Sequence, residues 1–370
     1  MTRTRTLSLV ATVLWLAGPA VAQVHPPEAA GVASSRYAAQ IDSARALVQA
    51  FMATHDVVGL SVAVGAQGEM VWTEGFGYAD LENRSPVTPA TKFRIGSIAK
   101  SLTSVALGQL YEGGRLDLDA PVQRYVPSFP EKRAPITTRQ LAGHIAGVRH
   151  YDDGEFYSAV RYPSLAAGLA IFADDTLLYE PGTRYRYSTY GWNLIAVVIE
   201  GASGEDYRSY MREHVLEPLG LHGTVEDDPE AIVPWRSRFY ERAEDGTIVN
   251  APYVDNLYKL AAGGYLSTAR DITRFGCAMV RSVPLQPETV RLLWTSQQTA
   301  DGELTGYGIG WRVGLDRDDR RVVSHSGGSV GGRSMLLIYP DGDVVVVVTA
   351  NTTPLDYRGL PEELAALFLP

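Results

Sequence analysis

Ser97 and Lys100 form the first pair of residues whose types and spacing suit catalysis. They lie in the segment FRIGSIAKSLTSVALGQLYEGGRLDL, which predicts a helix. Residues three apart share one face of a helix, with about 5–6 Å between their Cβ atoms. A lysine whose pKa is lowered by burial can accept the proton of a serine hydroxyl and so activate it as a nucleophile. The pair therefore predicts covalent catalysis on Ser97.

The same pair also suits an ordinary helix start. Serine is favoured at helix N-termini, apolar residues follow at helical spacing, and Gly113-Gly114 ends the helix. The scarcity of lysine favours the catalytic interpretation, because the whole chain contains only four: Lys92, Lys100, Lys132 and Lys259. The two residues alone leave both interpretations open.

Tyr187 and His325 are further candidates for the same chemistry. Tyr187 comes just before a predicted helix in YSTYGWN, and His325 ends a predicted strand in VVSHSGG. The glycines after His325 allow backbone N–H groups to face outward. Each residue also has a simpler explanation, as an exposed tyrosine among 20 and as a histidine that caps a strand.

A competing nucleophile is Ser329, in a Gly-x-Ser-x-Gly pattern that spans residues 327–331. That pattern needs a following helix and a histidine later in the chain. A predicted strand, RSMLLIYP, follows instead, and no histidine occurs after His325. Ser329 is therefore not expected to be the nucleophile.

Metal and nucleotide chemistry are not predicted. His144 and His150 lie in GHIAGVRHYDD, whose spacing matches no common zinc pattern, so they are expected to make hydrogen bonds in a structured loop. The sequence contains neither H-E-x-x-H nor a phosphate-binding glycine loop. We expect the protein to need no metal or organic cofactor.

Composition limits the partners. The chain of 370 residues has a formal net charge of −9 and no basic cluster, which argues against nucleic acid or an anionic membrane surface as a partner. Its single cysteine, Cys277, excludes an intrachain disulfide and is expected to be a small buried thiol. The expected partner is a small-molecule, ester or peptide substrate, and the sequence predicts no oligomeric state.

The N-terminus has the pattern of a secretory signal peptide. Arg3 and Arg5 precede an apolar run that ends in Ala20-Val21-Ala22, which predicts a signal over residues 1–22 with cleavage after Ala22. The run is too short for a membrane span, so no stable membrane insertion is expected after its removal. The expected location is periplasmic or secreted.

The order of predicted elements indicates an α+β fold. A helix over residues 36–53 and two strands begin the chain, and four strands and a helix end it, with a turn at Asp341-Gly342. The first of the four strands is predicted in YGIGWRVGL. We expect an antiparallel sheet built from both ends, flanked by helices, with an inserted mainly helical subdomain. The predicted domain covers residues 36–365, with a sheet subdomain at about 36–120 and 265–370 and the helical subdomain at about 121–264.

Taken in order, these motifs resemble the serine β-lactamase and penicillin-binding protein superfamily, class C-like, and within it the LACTB-like branch. The blocks that carry the resemblance include FRIGSIAKSLTSVAL, GVRHY, YSTYGWNLIAVVIE and APYVDNLYKLAAGGYLST. The resemblance implies a β-lactamase-like fold in which Ser97 is acylated and Lys100 and Tyr187 transfer protons. It leaves open which of those two is the base. It places His325 where the family usually has lysine, and substrate binding at Thr189, Ser326, Gly327 and Gly328.

Two departures from the family pattern bear on the substrate. Tyr-x-Asn is here Tyr187-Ser188-Thr189, and His325 titrates near neutrality where a lysine would stay charged. We therefore expect an exported peptidase or esterase rather than a β-lactamase. The alternatives are a β-lactamase or D-alanyl-D-alanine carboxypeptidase, and a non-catalytic binding or filament-forming scaffold. If His325 acts as a cation, hydrolysis is expected to weaken as pH rises through its pKa.

Overall fold

The computed structural model describes residues 31–370. The predicted signal peptide lies outside the described residues. Within residues 31–370, no helix combines the length and apolar character needed to cross a membrane.

The described chain contains ten α-helices and a π-helix at Met211–Leu216, joined by loops and short 3-10 turns. The predicted first helix begins two residues later than expected, after a 3-10 turn at Ser35–Tyr37. The helices are α1 Ala38–His55, α2 Ile98–Glu112, α3 Thr138–Ala142, α4 Leu165–Gly168, α5 Thr189–Ser203, α6 Tyr207–Tyr210, α7 Leu260–Gly263, α8 Ala269–Val280, α9 Pro287–Leu293 and α10 Leu360–Phe368.

Thirteen strands of the described residues form one large and two small sheets. The large sheet has the order β3-β2-β1-β12-β11-β10-β9, and every neighbouring pair in it is antiparallel. The strands are β1 Gly59–Ala66, β2 Glu69–Asp80, β3 Ser85–Pro86, β4 Phe93–Arg94, β5 Val225–Glu226, β6 Tyr240–Arg242, β7 Ile248–Asn250, β8 Tyr265–Ser267, β9 Arg312–Leu315, β10 Arg321–Ser329, β11 Gly332–Tyr339, β12 Val344–Ala350 and β13 Thr352–Thr353.

The pairing of β1 with β12 confirms that the two ends of the chain build one sheet. Strand β12, VVVVVTA, is buried along its whole length because helices cover both of its faces. Its valines alternate between two cores, as the period of two in a strand requires. Val344, Val346 and Val348 face the core under α1 and α10, whereas Val345 and Val347 face the larger core that contains α2, α5 and α8.

The segment between residues 121 and 264 is less purely helical than the sequence suggested. Besides α3 to α7, it contains β5, β6 and β7, which join β8, β13 and β4 in the two small sheets. These strands are two or three residues long, too short to produce the alternation by which a strand is recognised in a sequence. Its central element, α5, is buried on almost every side.

The segment YGIGW, predicted as part of a strand, crosses α2 instead. Gly310 has φ +81°, and a Cβ there would lie 2.8 Å from the Lys100 carbonyl oxygen, so only glycine allows this approach. The Ser101 hydroxyl donates a hydrogen bond to the Gly310 carbonyl at 2.7 Å, and Trp311 Nε1 donates to Ser104 Oγ at 3.0 Å. This crossing fixes the helix that carries Lys100.

Candidate active site

Ser97 is the residue immediately before α2, at its N-terminal end. The preceding turn needs glycine, since Gly96 has φ +49° and a Cβ there would lie 2.6 Å from the Gly328 nitrogen. Strand β10 approaches just as closely, because a Cβ on Gly327 would lie 1.9 Å from the Ile95 carbonyl oxygen. Glycines on both segments therefore bring the Ser97 turn against β10.

Lys100 lies one turn along α2 and is fully buried. Its Nζ is 3.0 Å from Ser97 Oγ and donates a hydrogen bond to the Ala262 carbonyl at 2.6 Å. Burial, reinforced by the positive charge of Lys259, holds the pKa of Lys100 well below that of an ordinary lysine. A neutral amine is thus placed where it can accept the hydroxyl proton of Ser97.

Tyr187 completes the contacts of the Ser97 hydroxyl. The two hydroxyls share a hydrogen bond, and burial raises the pKa of Tyr187 so that the phenol keeps its proton at neutral pH. Its ring faces Lys100, with Nζ 5.0 Å from the ring centroid. The structure thus brings Ser97, Lys100 and Tyr187 together.

Two histidines hold the start of α5, next to Tyr187. His144 Nδ1 accepts a hydrogen bond from the Ser188 N–H, and His150 Nδ1 accepts one from the Thr189 N–H, each at 3.1 Å. The hydrogen-bonding interpretation of these histidines is confirmed. The His144 ring also packs 4.1 Å from the Tyr187 ring, centroid to centroid, so it fixes both the helix start and the phenol.

Burial keeps both histidines neutral. The pKa of His144 is far below its ordinary value, and that of His150 is lowered to about 4. Their acceptor nitrogens therefore stay available to the helix N–H groups throughout the neutral range. They act as hydrogen-bond acceptors at this helix end rather than as charges.

His325 is buried on β10 between two hydrogen-bond partners. Its Nδ1 lies 2.7 Å from the Ser326 carbonyl oxygen, which can only accept, so Nδ1 carries the proton. Its Nε2 then accepts from the Tyr307 hydroxyl at 2.7 Å. Burial lowers the pKa of His325 to about 3. The expectation of a histidine that changes charge near neutral pH is wrong for this environment, because burial disfavours the imidazolium.

A cavity of about 230 Å³ is lined by Ser97, His150, Tyr187 and His325. Of the residues predicted to bind substrate, Thr189, Ser326 and Gly328 line it, whereas Gly327 packs against Ile95 beneath it. Strand β9 pairs with β10 only up to Ser324, so residues 325–329 lie at the open edge of the sheet. That edge offers unpaired backbone groups to the cavity.

Ser329 also borders the cavity, but in different surroundings. It ends β10, its Oγ is buried without a hydrogen-bond partner, and a tight turn leads directly into β11. The strand predicted after Ser329 is confirmed, so the strand–turn–helix required by the competing nucleophile pattern is not formed.

Sequence reasoning missed three cations in the wall of the cavity: Lys259, Arg312 and Arg333. No carboxylate is among the residues that line it. The rarity of lysine was the one signal that could have drawn attention to Lys259. The two arginines carried no signal, because they lie 53 and 74 residues beyond Lys259 in a chain rich in arginine.

Comparison with known proteins gives relatives over most of the chain. The Beta-lactamase family model matches residues 44–368. Human serine beta-lactamase-like protein LACTB, mitochondrial, is 33% identical over 411 residues, covering 85% of this chain and 75% of the relative. Penicillin-binding protein 4* of Bacillus subtilis (strain 168) is 26% identical, with 79% of this chain and 67% of the relative covered. The octameric penicillin-binding protein homologue from Pyrococcus abyssi superposes with a TM-score of 0.78 at 26% identity, covering 88% of this chain and 76% of that one.

Proposed function

The chain belongs to the beta-lactamase family, and we propose that it is a serine hydrolase that forms a covalent acyl-enzyme on Ser97. The observation that carries this proposal is the 3.0 Å contact between Ser97 Oγ and the buried Nζ of Lys100. Burial lowers the pKa of Lys100, and its Nζ is within reach of the Ser97 proton, which is what a serine nucleophile needs from its base.

We assign the base to Lys100 and the proton relay to Tyr187. The opposite directions of their pKa shifts support this choice, since burial favours the neutral form of each group, the free amine of Lys100 and the phenol of Tyr187. In acylation, Ser97 Oγ bonds to the substrate carbonyl carbon while its proton passes to Lys100. Tyr187 then gives its proton to the leaving group as that bond breaks and recovers one from Lys100. Water repeats the sequence on the acyl-enzyme and releases the acid.

The oxyanion of each tetrahedral intermediate would lie between the N–H groups of Ser97 and Gly328. The close packing of the Gly96 turn against Gly328 supports this assignment, because it brings the two segments together. The N-terminal end of α2 adds partial positive charge at the same place. In other enzymes, loss of one such donor lowers the rate by about 10²–10³.

A peptide or ester is the proposed substrate class. The open edge of β10 can pair with an extended chain, as sheet edges do in peptide recognition. The position expected to hold a cation for a β-lactam carboxylate carries His325, which is neutral here. Thr189 offers a hydroxyl where the family has an amide, and it is partly engaged by Tyr151. These features favour a peptidase or esterase over a β-lactamase.

The test is covalent labelling with a fluorophosphonate probe, followed by intact mass and peptide mapping. The parent is expected to gain one adduct on Ser97, and Ser97→Ala is expected to gain none. Ser329→Ala is the matched control, because Ser329 borders the same cavity and should not affect labelling. An adduct on Ser329, or no adduct on the folded parent, would contradict the proposal.

We also propose that the protein is exported after cleavage behind Ala22. The proposal rests on the N-terminal sequence, with Arg3, Arg5 and the apolar run that follows. N-terminal sequencing of protein from a periplasmic extract and from the medium is the direct test. A mature chain that begins at Gln23 is expected, and an intact Met1 in the cytoplasmic fraction alone would contradict export.

A further inference from the structure

Resting on the proposed function, we infer that Lys259 is a specificity residue that binds a carboxylate of the substrate in the Ser97 cavity. The hydrolase would then prefer esters or peptides that carry a free carboxylate near the scissile bond. Lys259 is separate from the residues that we assign to proton transfer, and its role is binding.

Lys259 has no hydrogen-bond or ion-pair partner for its Nζ within residues 31–370, although only 4% of the residue is exposed. Its Nζ lies over three aromatic rings, 5.2 Å from the Tyr151 centroid and 5.4 Å from those of Phe156 and Tyr258. Ring faces stabilise a cation without taking up its N–H donors. The three donors of Lys259 therefore remain free for a group in the cavity that it lines.

The two carboxylates that attract the charge of Lys259 are already paired with arginines. Asp227 Oδ2 lies 2.7 Å from Arg94 Nε, and Asp255 Oδ2 lies 2.6 Å from Arg161 Nε. Neither forms an ion pair with Lys259, and Arg94 repels its charge. Burial of an unpaired ammonium is unfavourable. A bound anion would pair with the Lys259 ammonium and remove this cost.

Arg312 and Arg333 add two further positive charges to the cavity wall. Neither side chain makes an ion pair or a hydrogen bond within residues 31–370, and Arg333 Nε is buried without an acceptor. A chain with a net charge of −9 thus has a cavity lined by three unpaired cations and by no acid. Such a cavity attracts anionic substrates and raises their local concentration.

A carboxylate is the anion that fits the proposed chemistry, because ester and peptide substrates carry it at side chains and chain ends. Lys259 is preferred to the arginines as the principal contact because it is the buried cation. Arg312 is exposed and Arg333 is half-buried, so both are more strongly screened by water.

The experiment compares two aryl esters with the same leaving group. One acyl group is glutaryl, with a free carboxylate, and the other is its methyl ester, of similar shape but neutral. The parent is expected to show at least a tenfold higher kcat/KM for the free carboxylate, mainly through KM. Lys259→Met should lose that preference, because its kcat/KM for the free carboxylate should fall at least tenfold more than its kcat/KM for the neutral ester, and Lys259→Arg should retain part of it.

Lys92→Met is the matched control. Lys92 is also a buried lysine over an aromatic ring, 5.4 Å from the Trp235 centroid, but its Nζ donates to the Pro234 carbonyl and does not border the cavity. Its replacement should leave the preference for the free carboxylate intact. Equal loss of preference in Lys92→Met and Lys259→Met would show a general charge effect and overturn the inference.

Fluorophosphonate labelling separates this inference from the proposed function. If the parent is labelled on Ser97 and hydrolyses the neutral ester without preferring the anionic one, the role of Lys259 is wrong and the hydrolase assignment stands. If folded Lys259→Met still prefers the free carboxylate, the role of Lys259 is likewise wrong and the hydrolase assignment stands. If Ser97 is not labelled and neither ester is hydrolysed, the proposed function itself fails.

Discussion

Two buried lysines of the candidate active site differ in the groups that surround their amines. Lys100 has a carbonyl acceptor at 2.6 Å and the Ser97 hydroxyl at 3.0 Å, whereas Lys259 has only aromatic rings around its Nζ. Burial lowers the pKa of both, that of Lys259 to about 7. The comparison shows that burial alone does not indicate what a lysine does in an active site. The partners support the two proposals, that Lys100 is the base and that Lys259 binds a ligand.

The largest effect is expected from removal of the base. Lys100→Met should lower kcat/KM for both aryl esters by about 10³ or more, because a positioned base contributes about 10²–10⁴ and Ser97 is left protonated. Steady-state rates and the rate of fluorophosphonate labelling both measure this loss. If Lys259→Met lowered the neutral-ester rate as much as Lys100→Met, the distinction between the two lysines would be refuted.

Removal of the relay should have a smaller effect that tests the base assignment. Tyr187→Phe keeps the ring over Lys100 but removes the hydroxyl that contacts Ser97, so we expect about a 10²-fold loss in kcat. An aryl ester with a leaving group of low pKa needs little protonation and should be affected least. A loss independent of the leaving group would indicate that Tyr187 is not the proton donor.

The preference for the free carboxylate should depend on pH. Lys259 is charged below its pKa of about 7 and neutral above it, so the preference is expected to fall about tenfold between pH 6 and pH 8.5. The charged and titratable groups that surround it are Arg94, Lys100, His150, Tyr151, Asp227, Asp255 and Tyr258.

The two histidines that border the cavity should not contribute in that range. The pKa values of about 3 for His325 and about 4 for His150 keep both rings neutral above pH 6. Profiles of kcat/KM for the two esters, recorded on the same protein, provide the comparison. A preference that stayed constant to pH 8.5 would assign the anion contact to Arg312 or Arg333.

The smallest expected effect is a change in the free energy of unfolding when Lys259 is replaced. The pKa of Lys259 is lower in the folded than in the unfolded chain. The folded state therefore loses stability as pH falls from the ordinary lysine value of 10.5 to about 7, and the full penalty remains below pH 7. Lys259→Met should therefore unfold at higher denaturant than the parent at pH 6, by roughly 1 kcal/mol or more. This difference in the free energy of unfolding should disappear toward pH 10. Denaturant titrations of both proteins check it, and a gap independent of pH would mean that packing rather than charge is responsible.

The longer helices and strands were predictable because their apolar residues recur at the spacing of a helix or a strand. The helix after Ser97, the β1–β2 hairpin and the valine-rich β12 lie where apolar spacing placed them. The strands of two or three residues and the YGIGW crossing were not predictable. Their conformations depend on contacts with α2 and other distant segments, which no local pattern records.

The sequence by itself determined the chain order of Ser97, Lys100, Tyr187 and His325, since residue type and local spacing suffice to single them out. Only the tertiary structure decided their protonation. Segments far apart in the chain bury Lys100 against Ala262 and join His325 to Tyr307. The fold also decided that Lys259 lines the Ser97 cavity without a partner. Desolvation and hydrogen bonding depend on neighbours in space, and these are set by the packing of the whole domain.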